Sequence, residues 1–486
     1  MAADESAVIE SVNGQLLIGG EWRDASGGGT FAVEDPSTGE TLCEVADGTP
    51  DDAMAALDAA CAAQQDWAAS PANDRAKLLH DVFELLGERV EELATLMTLE
   101  MGKSVAESKA EITYAAEFFR WNSGEALRTD GYYKAAANGT GRVLVMRQPV
   151  GPCYMITPWN FPMAMGTRKI GPAIAAGCTM VIKPAQLTPL SMLKLAELLQ
   201  EAGLPDGVLN VVTSASSRAV SEPIISDPRL RKLTFTGSTE VGQKLIEQSA
   251  EGVLKTSMEL GGNAPFVVFD DADIDDAIAG AMIAKMRNGG EACTSANRFH
   301  VHEDVAEEFA TKLAAKMGAM KLGRGTEEGT EVGPLIDDDQ RSKVAELVDD
   351  AVGKGAKALC GGRKGDGAGY FYEPTVLTDV PDDANLLTEE IFGPVAPVRT
   401  FSTDEQAIAD ANASEYGLAA YVYTNDIKRA LRVCEGLDTG MIGLNQGMVS
   451  NAGAPFGGWK ASGIGREGGN EGILEYLETK YVAINL

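Results

Sequence analysis

Met286-Arg287-Asn288-Gly289-Gly290-Glu291-Ala292-Cys293-Thr294-Ser295-Ala296-Asn297-Arg298 is a glycine-hinged turn with one thiol in it. A structural cysteine usually sits in an apolar run, but small and polar residues flank this one, with an arginine on either side. Thiols attack as thiolates, and nearby cations or helix N-termini favour that form. For an isolated cysteine the default is still an inert, half-buried thiol. Other stretches bear on that default. Thr157-Pro158-Trp159-Asn160-Phe161-Pro162 closes one apolar run and opens a helical one. An Asn there can donate its amide to a developing oxyanion, or simply make a turn. Glu259 stands beside Gly261 and Gly262. It is a water-activating carboxylate if it faces Cys293, and otherwise a surface acid before a turn. Lys183, ahead of Pro184, is placed to bond ribose hydroxyls or meet a phosphate. Phe235-Thr236-Gly237-Ser238-Thr239-Glu240-Val241-Gly242 reads as strand, glycine turn and helix start. Its glycines allow close backbone approach, and a helix N-terminus suits a pyrophosphate. It is not the GxGxxG pattern, so the turn alone is a weak signal. Glu390-Ile391-Phe392-Gly393-Pro394 puts an acid and an aromatic in a loop, ambiguous by itself.

The elements that must position these residues follow from apolar spacing. Residues 50–70 and 71–125 read as amphipathic helices. Tyr132-Tyr133, the turn signal Asn138-Gly139 and the run from Arg142 to Arg147 predict a hairpin reaching out of its domain. From 151 onward strands and helices alternate. The strands are 153–157, 178–183, 207–213 and 233–236, and the helices 163–176, 191–202 and 240–249. That alternation predicts an α/β fold with a doubly wound parallel sheet, whose ligands bind outside the carboxyl ends of the strands. A second α/β stretch follows Glu259, with a strand at 265–269, a helix at 274–288, the Cys293 loop and a strand at 299–301. A helix at 305–317 and strands at 375–380, 395–401, 418–423 and 441–444 complete it. The tail 476–486 reads as a strand able to pair with the hairpin of the 140s.

The chain has 486 residues, enough for two or three domains, with 44% apolar and 23% charged residues. No run approaches the ~20 apolar residues of a membrane span. The N-terminus lacks a basic region followed by an apolar one, so no secretory signal is expected. Acidic residues outnumber basic ones, 72 to 41, for a net charge of −31. That excess argues against nucleic acid and against anionic membranes, and any anionic ligand must be captured by local cations. Seven scattered cysteines without a CxxC indicate neither a zinc ribbon nor a disulfide framework, and fit a reducing cytoplasm. His80, His300 and His302 are the only histidines, too few and too dispersed for a transition-metal site, so no metal is expected.

Taken together, Trp159-Asn160-Phe161-Pro162, Phe235-Thr236-Gly237-Ser238, Glu259-Leu260-Gly261-Gly262, Cys293, Glu390-Ile391-Phe392-Gly393-Pro394 and Pro455-Phe456-Gly457-Gly458 resemble the aldehyde dehydrogenase superfamily over nearly the whole chain. Thr167-Arg168-Lys169, Gly261 to Phe266, Arg287-Asn288 and Lys460 to Gly463 further resemble its succinate-semialdehyde dehydrogenases. The resemblance implies a cofactor domain (1–127 and 147–258), a catalytic domain (259–469) and a small β oligomerisation element (128–146 and 470–486). It implies that Cys293 attacks the aldehyde carbon, that Asn160 and the Cys293 N–H hold the oxyanion, and that Glu259 activates the water that hydrolyses the resulting thioester. Thr157, Trp159, Lys183, Gln186, Gly237, Ser238, Gly242, Glu390 and Phe392 would bind the cofactor. Arg168, Arg287 and Ser450 would grip a substrate carboxylate. The expected reaction is oxidation of succinate semialdehyde to succinate. The alternatives are another ω-carboxylate semialdehyde, such as glutarate semialdehyde, or aliphatic aldehydes in general. A silent binding protein is disfavoured by intact Cys293, Glu259 and Asn160, and a cofactor-free thiol hydrolase by Lys183 and the glycine turn. A homodimer or homotetramer is expected.

The sequence departs from the family pattern at several places. Glu291, just before the nucleophile, stands where Gln is usual. Thr213-Ser214 replaces Thr-Gly, and Ser295 replaces a second cysteine found in some members. Gln186 occupies a position often Glu in NAD-preferring relatives and Ser in NADP-preferring ones. Either cofactor is therefore expected, NADP or NAD, with a lean to NADP.

Overall fold

The computed structural model describes residues 4–485. Five parallel strands form the heart of the first sheet, in the order Leu209–Val211, Met180–Lys183, Cys153–Ile156, Lys232–Thr236 and Lys255–Glu259. Most of their residues are buried, as strands covered by helices on both faces require. Antiparallel strands close both edges: Leu16–Ile18 and Glu21–Arg23 on one side, Gly463–Ile464 on the other. Strand order reverses between Cys153–Ile156 and Lys232–Thr236, because each has its crossover partner on the opposite side. Ligands of such sheets bind at that reversal, outside the carboxyl ends. The turns leaving those two ends carry Asn160 and Gly237.

The second sheet has seven strands, in the order Lys357–Cys360, Thr375–Thr378, Val395–Phe401, Ala296–His302, Ala264–Val268, Ala419–Tyr423 and Met441–Leu444. All neighbours are parallel except the first pair. Phe266 sits at its centre, with the rings of Phe299, Phe309, Tyr421 and Tyr423 around it. This sheet turns its amino ends toward the carboxyl ends of the first. A Cβ added to Gly262 would lie 2.3 Å from the Cys293 carbonyl, so the two loops touch at the seam.

The third sheet is antiparallel. Leu477–Ile484 pairs with Arg142–Pro149 along its whole length, from Leu477 opposite Pro149 to Ile484 opposite Arg142, and Tyr132–Ala135 flanks the other side. The expected pairing of the tail with the 140s hairpin is therefore present.

Two local expectations are corrected. The helix leading to the Cys293 loop ends at Met286 rather than at 288, because Asn288, Gly289 and Gly290 all have positive φ (55°, 60° and 83°), which stops the α-helical ladder. The strand Lys255–Glu259 also went unread: Lys-Thr-Ser-Met-Glu is mostly polar, yet it lies inside the sheet. Among the described residues no helix is long and apolar enough to cross a membrane.

Candidate active site

The loop bearing Cys293 is held from three sides. Asn288 donates its backbone N–H to Glu107 Oε1 (2.6 Å) and its side-chain amide to the carbonyls of Asn160 and Glu291 (3.0 Å each). Asn160 Nδ2 donates to the same Glu291 carbonyl at 2.9 Å, which uses one of its two protons and leaves the other for a ligand. Beneath the loop, Lys285 Nζ donates to Ser295 Oγ and Asn297 Oδ1, and burial pushes its ammonium down to about 7. The Glu291 side chain accepts from the Ile336 N–H, and burial holds its carboxyl well above the usual range. A protonated carboxyl can stand in for the amide of a glutamine there.

Asn160 is itself clamped. Lys103 Nζ donates to its carbonyl at 2.7 Å and pairs with Glu111 at 2.6 Å. The other Glu111 oxygen accepts from the backbone N–H groups of Met163 (3.0 Å) and Ala164 (3.1 Å), at the start of the helix Ala164–Ala176. A buried ion pair thus fixes the turn that presents Asn160.

Cys293 is half-buried, and burial pushes its thiol up to about 12 although the Arg168 guanidinium opposes the shift. Glu259 ends the strand Lys255–Glu259, opposite Gly463, and is 3% exposed. Neither of its carboxylate oxygens has a hydrogen-bond partner. Burial, reinforced by Glu467, raises its carboxyl well above the usual range against Arg168 and Lys169. Glu467 carries the charge instead. Burial raises its carboxyl, but Lys169 (2.6 Å) and Arg168 (2.8 Å) outweigh that and leave it below the usual range. Of these two buried acids, one is charged and paired. The other is unpaired, an arrangement that suits a general base.

Two cavities flank the loop. The first, about 200 Å³, is lined by Trp159, Asn160, Gly237, Ser238, Cys293, Glu390 and Phe392, among others. A Cβ at Gly237 would meet the Phe235 ring at 2.4 Å and one at Gly242 would meet Leu260 at 2.3 Å, so a tight turn and a closely packed helix Thr239–Gly252 depend on glycine. Ser238 caps that helix. Half-buried Glu390 accepts from the Gly262 N–H, and burial lifts its carboxyl to about 7. Trp159 and Phe392 meet edge to face at 5.3 Å. Lys183 donates to the Pro184 carbonyl at 3.0 Å and has two further protons; Thr157 is buried nearby at the end of the adjacent strand, and Gln186 is exposed.

The second cavity, about 170 Å³, is lined by Lys103, Glu107, Tyr114, Phe161, Arg287, Asn288, Met448 and Ser450, among others. Arg287 donates to Ser450 Oγ at 3.1 Å and lies 4.7 Å over the Phe161 ring. Arg168 is not among these lining residues. It is 2% exposed, paired with Glu467 and stacked 3.8 Å from the Phe456 ring centre.

The aldehyde dehydrogenase family model matches residues 22–482. The chain belongs to the aldehyde dehydrogenase family. It is 58% identical to a succinate-semialdehyde dehydrogenase of Paenarthrobacter nicotinovorans, over 91% of this chain and 98% of that one. It is 49% identical to a glutarate-semialdehyde dehydrogenase of Pseudomonas putida, over 97% of this chain and 98% of that one. A crystal structure of an NADP-dependent enzyme from Escherichia coli superposes with a TM-score of 0.97 at 48% identity, covering 100% of both chains.

Several residues of this aldehyde dehydrogenase escaped sequence reasoning. Lys103, Glu107, Glu111 and Tyr114 lie within or beside a helix read only as amphipathic packing, Val105–Glu125. Glu467 follows a glycine-rich stretch with no pattern of its own. The only signal in sequence was the cost of burying charge: acids spaced along an apolar helix face need partners.

Proposed function

We propose that this aldehyde dehydrogenase oxidises succinate semialdehyde to succinate with a nicotinamide dinucleotide, NADP or NAD, leaning to NADP. The observation that carries the substrate reading is the Arg287–Ser450 pair in the wall of a cavity beside the Cys293 loop. A plain aldehyde needs no such cation, whereas a carboxylate pairs with arginine through charge-assisted hydrogen bonds.

In this reading Cys293 Sγ bonds the aldehyde carbon to give a thiohemiacetal. The free proton of the Asn160 amide and the Cys293 N–H hold its oxygen. When bound, the nicotinamide supplies a hydride acceptor. Lys183, Gly237, Ser238, Gly242, Glu390 and Phe392 would hold the dinucleotide, with Thr157 and Trp159 at the strand end. Loss of the hydride from carbon and of the hydroxyl proton to solvent would leave the acyl group on Cys293 as a thioester. Glu259 takes a proton from water as that water attacks the thioester carbon, and succinate leaves with the thiol restored. Arg168, expected to share the substrate carboxylate, is better suited by its pairing to act as a buried cation behind Cys293 and Glu259.

A second reading, glutarate semialdehyde, is supported by the P. putida relative and by Met448 in the cavity wall, a flexible side chain that tolerates an extra methylene. Reduced-nicotinamide absorbance with succinate semialdehyde, glutarate semialdehyde and butanal separates the readings. The highest kcat/KM is expected with succinate semialdehyde; equal values for butanal would reduce the substrate class to aldehydes in general.

The three sheets support a cofactor domain (1–127 and 147–258), a catalytic domain (259–469) and a β element (128–146 and 470–486). Exposed Tyr132, Tyr133 and Tyr481 on that element support assembly as a homodimer or homotetramer. Seven unpaired cysteines suit a reducing compartment such as the cytoplasm.

A further inference from the structure

We propose that the Tyr114 hydroxyl is a third donor to the distal carboxylate of the substrate, beside Arg287 and Ser450; this rests on the carboxylate reading of that cavity. Tyr114 projects from the helix Val105–Glu125 into the cavity wall. Its ring packs edge-on against Phe118 at 5.0 Å, and the Arg287 guanidinium lies 5.6 Å from the ring centre. Carbon atoms make both contacts, so a phenylalanine would make them equally well. The hydroxyl is the part they leave unexplained. It is buried and makes no well-formed hydrogen bond in the protein, with the Ser450 hydroxyl beside it. Buried hydroxyls are nearly always paired, so one that is not calls for an explanation, and a ligand that supplies the partner provides one.

The neighbours define that ligand. Ser450 Oγ already accepts from Arg287 Nη1, which leaves the serine's own proton to donate outward. Arg287 carries only donors. Also lining the cavity, Lys103 and Glu111 are paired with each other, and one Glu107 oxygen accepts from the Asn288 N–H. The donors left free around Arg287 are therefore three: guanidinium, serine hydroxyl and phenol. Burial, which outweighs the nearby arginines, raises the phenol's pKa, so it stays a donor at neutral pH. An acceptor-only group with several lone pairs, such as a carboxylate, satisfies all three; an alkyl terminus satisfies none.

The test is Tyr114→Phe beside Arg287→Ala, each assayed with succinate semialdehyde and with butanal. For Tyr114→Phe, kcat/KM for succinate semialdehyde should fall about tenfold, through KM, as expected for one lost hydrogen bond to a charged group. Butanal should change less than about twofold, since it offers no carboxylate. The melting temperature should hold or rise, because the change removes a buried group that makes no well-formed hydrogen bond in the free protein. If Arg287→Ala is selective but Tyr114→Phe spares succinate semialdehyde, or harms both substrates alike, the Tyr114 role is overturned and the carboxylate reading survives. A melting temperature several degrees lower would show the hydroxyl bonded within the protein, and would also overturn it. If Arg287→Ala harms both substrates equally, the carboxylate reading fails and the Tyr114 role fails with it.

Discussion

Cys293, Glu259 and Asn160 are far apart in sequence and meet where the two large sheets abut. Glu259 is the one whose environment makes the strongest demand. Its raised carboxyl is protonated at low pH, and the base form grows only as pH climbs past the ordinary carboxylate range. Thioester hydrolysis should therefore accelerate with rising pH, and the Glu259→Gln enzyme should lose that rise. In stopped flow, Glu259→Gln should give a burst of reduced cofactor followed by slow turnover. Loss of the burst as well would assign Glu259 to thiol activation. The arginines should behave differently from each other. Arg287→Ala should lower kcat/KM for succinate semialdehyde roughly ten- to hundredfold and spare butanal. Arg168→Ala should harm both substrates and destabilise the fold by about 3–5 kcal/mol, because it takes a partner from buried Glu467. Thermal melts and the two-substrate assay separate these outcomes. Arg168 and Arg287 looked alike in sequence because the partner that distinguishes them, Glu467, lies far along the chain with no motif to announce it.

The elements were legible wherever apolar residues repeat at regular spacing. The buried strands Cys153–Ile156, Met180–Lys183 and Val395–Phe401 lie within their expected ranges. The edges and the polar strand did not announce themselves, because Lys255–Glu259 owes its place to neighbours on both sides rather than to its own composition. The helix Val105–Glu125 is the most instructive element. One face packs as the sequence predicts, but the same helix supplies Glu107 to the Cys293 loop and Glu111 to the turn after Asn160. Lys103, just ahead of it, completes that support. Lys103→Met should lower the melting temperature, because a buried pair broken from one side costs about 3–5 kcal/mol. It should also reduce kcat for succinate semialdehyde and butanal by similar factors, since the oxyanion donor serves both. A selective loss on the carboxylated substrate would show instead that Lys103 touches the substrate.

At the scale of the whole molecule, the three-stranded sheet has few contacts to bury its aromatic side chains: Tyr133 and Tyr481 are each 60% exposed. Tyr133→Asp combined with Tyr481→Asp should shift sedimentation toward the monomer if this sheet is the assembly surface, and unchanged sedimentation would assign assembly elsewhere.

The two cavities beside the Cys293 loop share no lining residue. One draws on the turns after Ile156 and Thr236 and on Glu390 and Phe392, the other on the helix Val105–Glu125, Arg287 and the segment 448–450. On the proposed function, preferences for dinucleotide and for aldehyde tail would be written in separate stretches of chain and could drift independently during evolution. Gln186→Glu should turn preference toward NAD, since a carboxylate bonds a ribose hydroxyl and repels a 2′-phosphate. Combined with Arg287→Ala, its effect on the cofactor ratio should be unaltered, so that the two changes multiply. A lineage could then exchange one nicotinamide pool for another without relearning its substrate.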